Sequence, residues 1–317
     1  MLKVGMVGVG GISTAHIGGW EQVPEAKLTA LCDIRPEVME PAAQRLGARA
    51  YPSLDEMLEK EALDILDICV PTYLHADFAV KAMEKGVHVL MEKPISLCRE
   101  DVRRVYRTAE ENGVAVMVAQ VLRFWSEYVY LKALIEEGTY GGVISGSMTR
   151  LGNVPRWSWD NWMTDPARSG LVPFDLHIHD LDFMVYAFGR PDRVISHRGV
   201  RKEQDYIHAV YEYPGFFITG EASWFDCEYP FQSGFRFQLE RAVVELRDGV
   251  LKVYPSGGAP FAVEMEAGAA PNGINLPASD AYYNEIRYFT DCVLEGRFPD
   301  RVKPEELECV LDLIGQL

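Results

Sequence analysis

The stretch "KVGMVGVGGIS", residues 3–13, decides the fold of the N-terminal part of the chain. The apolar residues before Gly8 predict a short buried strand, and residues 13–22 predict a helix after the glycines. Gly8 permits a tight turn, and Gly10 lets a bound group approach the backbone because no Cβ is in the way. A helix N-terminus offers N–H groups and a favourable dipole to a phosphate. The residues of this predicted phosphate-binding turn are Gly8, Gly10, Gly11 and Ile12.

A carboxylate follows the second predicted strand, residues 27–32. Asp33 lies about 20 residues beyond the glycine turn, where a carboxylate can accept hydrogen bonds from the ribose hydroxyls of a dinucleotide. Ser13 replaces the third glycine of the GxGxxG pattern, and a small residue there can still pack the helix on the strand. Asp33 favours NAD because a carboxylate would repel the 2′-phosphate of NADP. Arg35 leaves NADP as an alternative, since its guanidinium can pair with that phosphate.

Strands and helices alternate through the first 120 residues. The strands read as continuous apolar runs, and several of the intervening helices end at glycine. Continuous apolar strands that alternate with helices predict a parallel sheet covered on both faces.

The pattern changes after residue 120. Aromatic-rich segments with alternating polarity predict a largely antiparallel sheet with helices on one face. We expect one face of this sheet to be too apolar for solvent, and hence a homodimer or homotetramer built on it, because of Phe216, Phe217, Trp224 and Phe225. Residues 256–280 are predicted to form a loop. The predicted strands are 143–151, 192–200, 205–213, 216–225, 235–240, 242–247 and 250–254, and the predicted helices are 126–137, 175–188, 279–295 and 304–316.

Composition excludes several classes of protein. The 317 residues carry a formal charge of −16, which repels nucleic acid and anionic lipid, and no long run of Lys and Arg opposes it. No window offers the ~20 apolar residues of a membrane span, and glycines interrupt the apolar N-terminus where a signal peptide would need a longer run. The six cysteines lack the spacing of a zinc site or a CxxC pair. The sequence therefore predicts a reduced cytoplasmic protein without a metal.

Two polar segments stand out. In "HVLMEKPIS", residues 88–96, Glu92, Lys93 and Pro94 end a strand, at the edge where ligands bind in such sheets. In isolation this tripeptide is better explained as a common surface turn.

The second segment is "SGLVPFDLHIHDLDFMVYAFG", residues 169–189. At 100° per residue, its Asp175, His179 and Asp182 fall within about 60° of one another, whereas His177 and Asp180 point elsewhere. One edge of the helix is therefore expected to face a site, with His177 in the core. The alternative is a core histidine with aspartates that cap the helix start.

The segments "GVGGIS", "CDIRPE", "VPTYLHADFAVKAMEKGVHVLMEKP", "AQVLRF" and "FDLHIHDLD" occur in a familiar order and spacing. The whole chain resembles the glucose–fructose oxidoreductase, inositol dehydrogenase and rhizopine-catabolism (Gfo/Idh/MocA) family. The resemblance implies an α/β protein with a doubly wound Rossmann domain over residues 1–120 and an α/β domain with a large, mostly antiparallel open sheet over 121–317. It also implies a nicotinamide cofactor, a sugar or cyclitol substrate, and dimers or tetramers.

The resemblance also assigns site residues. The lysine that matches Lys93 contacts the reacting oxygen in such proteins, and the residues that match Asp175 and His179 complete the site. It places a further set of residues near the cofactor: Pro71, His75, Glu92, Lys93 and Gln120. The family often shows Ser-Gly-Gly where this chain has Ser169, Gly170 and Leu171.

Oxidation of a secondary alcohol needs a base for the hydroxyl proton while hydride moves to the nicotinamide. His179 ionises near neutrality, which suits it to this task, and Lys93 as an ammonium stabilises a developing alkoxide. Asp175 can orient His179 or bind a substrate hydroxyl. Which of Lys93 and His179 takes the proton stays open, because the two would be coupled.

Further substrate residues are candidates only. Arg123 matches the family strand end, but an inter-domain structural ion pair explains it equally well. The segment "RWSWDNWMTDPARSG", residues 156–170, combines aromatic faces with short polar groups that suit a sugar, which makes Asn161 and Trp162 substrate candidates. A hydrophobic loop that plugs the domain junction is the alternative.

The sequence therefore predicts an NAD(P)-dependent dehydrogenase of a sugar, polyol or cyclitol. Two alternatives remain open: a sensor that binds dinucleotide without turnover, and a glycosidase that uses tightly held NAD for transient oxidation. The joint presence of Lys93, Asp175 and His179 argues against the sensor.

Overall fold

The computed structural model describes residues 1–265 and 279–317. The helices, in chain order, are α1 (Ser13–Trp20), α2 (Pro36–Leu46), α3 (Leu54–Lys60), α4 (His75–Met83), α5 (Arg99–Asn112), α6 (Ser126–Glu137), α7 (Pro166–Ser169), α8 (Ile178–Phe188), α9 (Ala281–Glu295) and α10 (Pro304–Ile314). Short 3₁₀ turns lie at Thr72–Leu74, Val121–Phe124 and Trp159–Thr164, and a π-helical turn lies at Pro173–His177.

The strands, in chain order, are β1 (Leu2–Val7), β2 (Ala26–Cys32), β3 (Arg49–Tyr51), β4 (Ile65–Ile68), β5 (His88–Glu92), β6 (Val116–Ala119), β7 (Val143–Asn153), β8 (Arg193–Arg201), β9 (Gln204–Tyr213), β10 (Phe216–Phe225), β11 (Gln232–Leu239), β12 (Ala242–Arg247), β13 (Val250–Pro255) and β14 (Phe261–Ala262). None of the helices within residues 1–265 and 279–317 is long and apolar enough to cross a membrane.

The N-terminal sheet is parallel throughout, in the order β3-β2-β1-β4-β5-β6. Every residue of β4 and β6 is buried, as their continuous apolar sequences predict. The strand order reverses between β1 and β4, and ligands bind at such a switch point in open α/β sheets. The predicted doubly wound sheet is therefore confirmed. Strand β3 was not predicted, because three residues are too short to show a periodicity.

The second sheet has the order β14-β13-β12-β11-β7-β10-β9-β8. Its pairs are antiparallel except for the parallel pair of β7 and β10, which confirms the predicted mostly antiparallel sheet. Strand β14 lies within the segment predicted to be a loop, 256–280, and residues 266–278 of that segment lie outside the described residues.

The aromatic residues of β10 do not share one face, because successive side chains of a strand point to opposite sides. Phe217 is 46% exposed, whereas Trp224 is 2% exposed and belongs to the core. Phe216 is half-buried and stacks on Tyr213 with ring centroids 4.8 Å apart. The expectation of one apolar face made by all four aromatics is therefore wrong, and the exposed side of β10 also carries Thr219 and Glu221.

Contacts divide the described residues into two compact units, one of 1–121 and 279–307 and the other of 122–265 and 308–317. The chain returns to the first unit because α9 packs on α1. A Cβ on Gly19 would lie 2.6 Å from Cδ1 of Ile286, so the glycine lets the two helices approach closely. The domain boundary predicted near residue 120 stays a prediction, but the grouping of 279–307 with the N-terminal residues differs from it.

Candidate active site

The glycine turn joins β1 to α1 in the first unit. Gly8 has φ +90°, and a Cβ there would lie 2.5 Å from the carbonyl oxygen of Cys69, so only glycine fits. A Cβ on Gly10 would meet only Arg35, 3.9 Å away, which leaves open space at the N-terminus of α1. Ser13 is buried, and its hydroxyl donates to the Gly10 carbonyl at 2.6 Å. The turn therefore has the cradle that a pyrophosphate needs.

Asp33 follows β2 and lies beside this turn. Its Oδ2 accepts the Val9 N–H at 2.8 Å, and both of its carboxylate oxygens accept from the Arg35 guanidinium at 2.9–3.0 Å. Burial raises the pKa of Asp33, but the hydrogen bonds from Arg35 and Val9 outweigh burial and hold the pKa below its ordinary value. Asp33 is therefore an anion that is fixed against the glycine turn. Arg35, whose guanidinium kept NADP as an alternative in the sequence analysis, forms an ion pair with Asp33.

The other predicted cofactor residues of the first unit lie in loops and at strand ends. Ile12 and Pro71 are half-buried, and Gly11 accepts hydrogen bonds from Thr14. Gln120 directly follows β6, is 2% exposed, and its Nε2 has no hydrogen-bond partner within the described part of the chain. An orphaned amide donor at a strand end fits a polar ligand group, which agrees with a dinucleotide site.

The Glu92–Lys93–Pro94 turn is held from two sides. The Oε2 atom of Glu92 accepts the main-chain N–H of Lys93 at 3.0 Å. His75 is buried, and its ring nitrogens lie 2.6 Å from the carbonyl oxygen of Pro94 and 2.7 Å from that of Val70. The Lys93–Pro94 peptide bond is cis, and Lys93 itself is half-buried. His75 thus supports the turn through main-chain atoms.

A buried ionisable cluster, which we call the His16 cluster, lies next to this turn and consists of His16, Trp20, Asp67, Glu92 and Glu285. His16 Nδ1 lies 2.9 Å from Asp67 Oδ2, and its Nε2 lies 3.0 Å from Glu92 Oε1. Trp20 donates its indole N–H to Asp67 at 2.7 Å. Neither carboxylate oxygen of Glu285 has a hydrogen-bond partner in the described residues. The cluster connects α1, β4, the end of β5 and α9.

In the second unit, the segment quoted above begins as the π-helical turn Pro173–His177 and continues as α8. A π-helix closes i→i+5 hydrogen bonds, so the assumed 100° per residue does not hold across it. The turn follows Leu171, which has φ +63°, and the Leu171 carbonyl accepts the Asp175 N–H at 2.9 Å. The Val172 N–H donates to Asp205 at 3.1 Å. These contacts fix the entry of the segment.

The structure sorts the five polar residues of this segment into two groups. His177, Asp180 and Asp182 are at most 1% exposed, whereas Asp175 and His179 are half-buried. His177 Nε2 lies 2.6 Å from the hydroxyl oxygen of Tyr211, and burial lowers the pKa of His177 to about 4. His177 is therefore a neutral core histidine, as predicted.

The two buried aspartates each pair with an arginine. Asp180 accepts from Arg150 at 2.9 Å. Asp182, which the predicted edge included, accepts from Arg123 through both oxygens, at 2.6 and 2.8 Å. Asp182 therefore lies in the core, and the prediction that it shares the site-facing edge with Asp175 and His179 is wrong.

Arg123 was predicted to contact the substrate or to form an ion pair. It is 0% exposed, and its guanidinium lies 4.6 Å from the ring centroid of Tyr186 in addition to its pairing with Asp182. The ion pair joins two parts of the second unit and is not an inter-domain pair. Substrate contact by Arg123 stays a prediction.

The tryptophan-rich segment forms the 3₁₀ turn Trp159–Thr164. Asp160 and Asn161 have φ of 49° and 50°, which is rare for residues other than glycine. Asn161 is exposed and Trp162 is half-buried. Arg168 donates to the Asp160 carboxylate at 2.8 Å and to Asp165 at 2.9 Å, which braces the turn. Sugar contact by Asn161 and Trp162 stays a prediction.

Sequence reasoning missed His16, Asp67 and Glu285. A signal existed for Asp67, because an acidic residue inside the apolar run "LDILDICV" needs a buried partner. Its partners could not be named from the sequence, since they come from α1 and β5. Glu285 gave no signal, because glutamate is common on helices and the helix pattern does not show which face is buried.

The parallel strand order, the glycine turn and the carboxylate after β2 define a dinucleotide-binding α/β protein. The chain belongs to the Gfo/Idh/MocA oxidoreductase family. Residues 2–120 match the family model described as oxidoreductase family, NAD-binding Rossmann fold, and residues 128–244 match the model of the Gfo/Idh/MocA C-terminal domain. NAD is accordingly the cofactor of the first unit, and the glycine turn and Asp33 stay the residues predicted to hold it.

Relatives in this family include several sugar-converting enzymes. The chain is 29% identical to 2,7-anhydro-N-acetylneuraminate hydratase of Escherichia coli strain K12, over 68% of this chain and 59% of that protein. It is 26% identical to D-xylose 1-dehydrogenase (NADP(+)) 2 of Haloferax volcanii, over 100% of this chain and 96% of that protein. The chain spans 48% to 60% of the length of three curated relatives that it matches.

A solved structure of levoglucosan dehydrogenase in complex with NADH and levoglucosan has the same fold. The TM-score is 0.84 at 19% sequence identity, and the match covers 99% of this chain and 96% of that chain.

Proposed function

We propose that this protein transfers a hydride between a secondary alcohol of a sugar, polyol or cyclitol and the nicotinamide of NAD. Family membership supports the oxidoreductase class, and the sugar-converting relatives support the substrate class. NAD, when bound, supplies the hydride acceptor. The protein itself has to bind and orient the substrate and move a proton.

Three residues are proposed to act on the substrate. Lys93 as an ammonium stabilises the developing alkoxide, and His179 is the acid–base group for the hydroxyl proton. Asp175, four residues before His179, orients the imidazole or binds a neighbouring hydroxyl. General acid–base help of this kind supplies about 10²–10⁴-fold in rate.

The sorting of the polar residues at the start of α8 carries this proposal. Three of the five residues are buried in ion pairs or a hydrogen bond within the second unit, and Asp175 and His179 keep partial exposure. A surface helix has no reason to begin with a π-turn, and such turns are frequent at functional sites. Asp175 and His179 are thus the polar residues of this segment that stay partly accessible.

Site-directed variants with nicotinamide absorbance as the readout test the proposal. A panel of cyclitols and aldoses with NAD and NADP identifies a substrate first. We expect Lys93→Met or His179→Asn to lower kcat by about 10²-fold or more, with NAD affinity nearly unchanged. The double variant should lose less than the product of the two single losses, because the residues act as a unit.

His177→Ala is the matched control, two residues from His179. It should lower stability and leave kcat of the folded protein close to wild type. Turnover abolished by His177→Ala and preserved in His179→Asn would refute the assignment. Glycoside cleavage with flat nicotinamide absorbance would instead establish the transient-oxidation alternative.

The proposal also covers the oligomeric state of the protein and its location in the cell. We propose a homodimer or homotetramer built on the exposed side of the second sheet, where Phe217 is 46% exposed. A monomer in light scattering at micromolar concentration would contradict it. A cytoplasmic location is supported by the six cysteines, none of which forms a disulfide.

A further inference from the structure

The His16 cluster is not used by the chemistry proposed above. His16 belongs to α1, the helix that follows the glycine turn, and it is 0% exposed. Its two ring nitrogens contact carboxylates from two different strands, Asp67 on β4 and Glu92 at the end of β5. A buried side chain that connects a phosphate-binding helix to a proposed catalytic turn calls for an explanation.

The contacts define the charge state of His16. Both nitrogens lie against carboxylate oxygens, and only an imidazolium can donate an N–H to both carboxylates. Burial alone would lower the pKa of His16, but Asp67 and its hydrogen bond raise it well above the ordinary value. The Cys69 thiol, 3.7 Å from Asp67, stays protonated because burial raises its pKa to about 12. In this protonation state His16 has no lone pair for a metal, and its two N–H groups are both used by carboxylates.

Glu92 transmits this charge to the main chain of the turn. Its Oε1 accepts from His16, and its Oε2 accepts the Lys93 N–H. A buried carboxylate that lost its cationic partner would rotate toward another donor or take up a proton. Either change weakens its bond to Lys93, whereas His75 would still hold Pro94.

We propose that His16 is a positioning residue for Lys93, acting through the Glu92 carboxylate to fix the main chain from which the lysine side chain projects. This inference rests on the proposed function, because it takes Lys93 as the group that acts on substrate. The Nδ1 contact with Asp67 attaches α1 to the sheet, and the Nε2 contact with Glu92 orients the turn.

Amide variants separate the two contacts. The amide nitrogen of asparagine occupies roughly the place of Nδ1, and that of glutamine roughly the place of Nε2. His16→Asn therefore keeps a donor for Asp67 and loses the donor for Glu92, and His16→Gln does the opposite. Both variants remove the same charge. Asparagine is one methylene smaller than glutamine, so the Tm of each variant measures the packing that it loses.

The experiment measures kcat, NAD affinity by titration, and Tm for both variants. We expect His16→Asn to lower kcat about tenfold or more with NAD affinity within about threefold of wild type, and His16→Gln to keep most of kcat. Hydrogen exchange of the Lys93 amide should accelerate in His16→Asn and not in His16→Gln. Equal kcat in the two variants, or the lower kcat in His16→Gln, would overturn the inference.

Two further variants keep the result interpretable. Glu92→Asp leaves the His16–Asp67 pair in place and shortens the carboxylate, so it should reproduce the kcat loss even if the His16 variants do not fold. Wild-type kcat in Glu92→Asp would also overturn the inference. Lys93→Met tests the proposed function separately: if it retains turnover, the proposed function fails whatever the His16 variants show.

Discussion

The imidazole of His177 occupies the space into which a side chain on Gly220 would project. A Cβ added to Gly220 would lie 2.5 Å from Cε1 of His177 and 3.4 Å from its Nε2. The ring also stacks on Tyr211 of β9 at 28° with centroids 5.9 Å apart. The absence of a side chain on β10 therefore makes the space that the first turn of the segment requires.

Gly220→Ala should consequently overpack the core of the second unit. We expect a loss of about 1–3 kcal/mol in the free energy of unfolding, because the buried ring has to move. Urea denaturation measures the change. Gly199→Ala on β8 is the matched control, since a Cβ there meets nothing within 4 Å. Equal stability of the two variants would contradict the packing described for His177.

The contribution of Glu285 to the free energy of unfolding should fall as the pH rises. Burial, reinforced by Glu92 and Asp67 and opposed by His16, raises the pKa of Glu285 well above its ordinary value. The folded state therefore keeps a proton that the unfolded chain releases above about pH 4.3, and stability is lost as the pH rises toward the folded-state pKa. Glu285→Gln cannot ionise and should not show this loss.

The measurement compares the free energy of unfolding of wild type and Glu285→Gln between pH 4 and 8. The free energy of unfolding of Glu285→Gln, relative to wild type, should rise with pH by as much as about 1.4 kcal/mol per pH unit. Glu59→Gln on the exposed side of α3 makes the same charge change and should show no such trend. If wild type gained on Glu285→Gln as the pH rose, the carboxylate would be ionised and paired.

Leu171 occupies a left-handed conformation, which favours glycine over residues with a Cβ. A residue with a Cβ at φ +63° costs about 1 kcal/mol or more, so Leu171→Gly should be more stable than Leu171→Ala by about that amount. Both variants remove the leucine side chain, and only glycine removes the strain. Thermal unfolding of the pair gives the difference directly. A higher Tm for Leu171→Ala would show that this backbone relaxes without strain.

The position and charge of Asp33 lead us to expect a preference for NAD over NADP. Its carboxylate is anionic and fixed beside the glycine turn, so NAD should bind more tightly than NADP. Asp33→Ala removes the anion and frees Arg35 for a 2′-phosphate, which should narrow the gap between the two cofactors. Fluorescence titration with each cofactor gives both affinities. Tighter binding of NADP than of NAD by the wild type would mean that attraction of the 2′-phosphate by Arg35 outweighs its repulsion by Asp33.

The sequence predicts the first unit well because its signals are local. The glycine turn, the carboxylate that follows β2 and the buried runs of β4 and β6 each depend on a few consecutive residues, and the parallel sheet follows from them. The second sheet was predicted for the same reason, from alternation and turns. Its strand order was not, since the parallel pairing of β7 with β10 joins segments that are distant in the chain.

The polar residues of the segment at 169–189 show what helical periodicity can and cannot predict. Uniform helical phase correctly put His177 in the core and separated Asp180 from His179. It could not include a π-turn, and it could not show that Asp182 has Arg123 as a buried partner. Ion pairs between distant segments depend on packing, and no periodicity encodes them.

The close approach of Gly19 and Ile286 has a consequence for how the protein is made. A nascent chain that has emerged through β6 holds the whole parallel sheet but lacks α9, so the α9-facing side of α1 stays uncovered. Residues 122–265, the larger part of the second unit, must be synthesised before α9 arrives to cover that side. The N-terminal unit thus completes its fold only after most of the second unit has been synthesised, and the long-range contact of α9 with α1 is a late step.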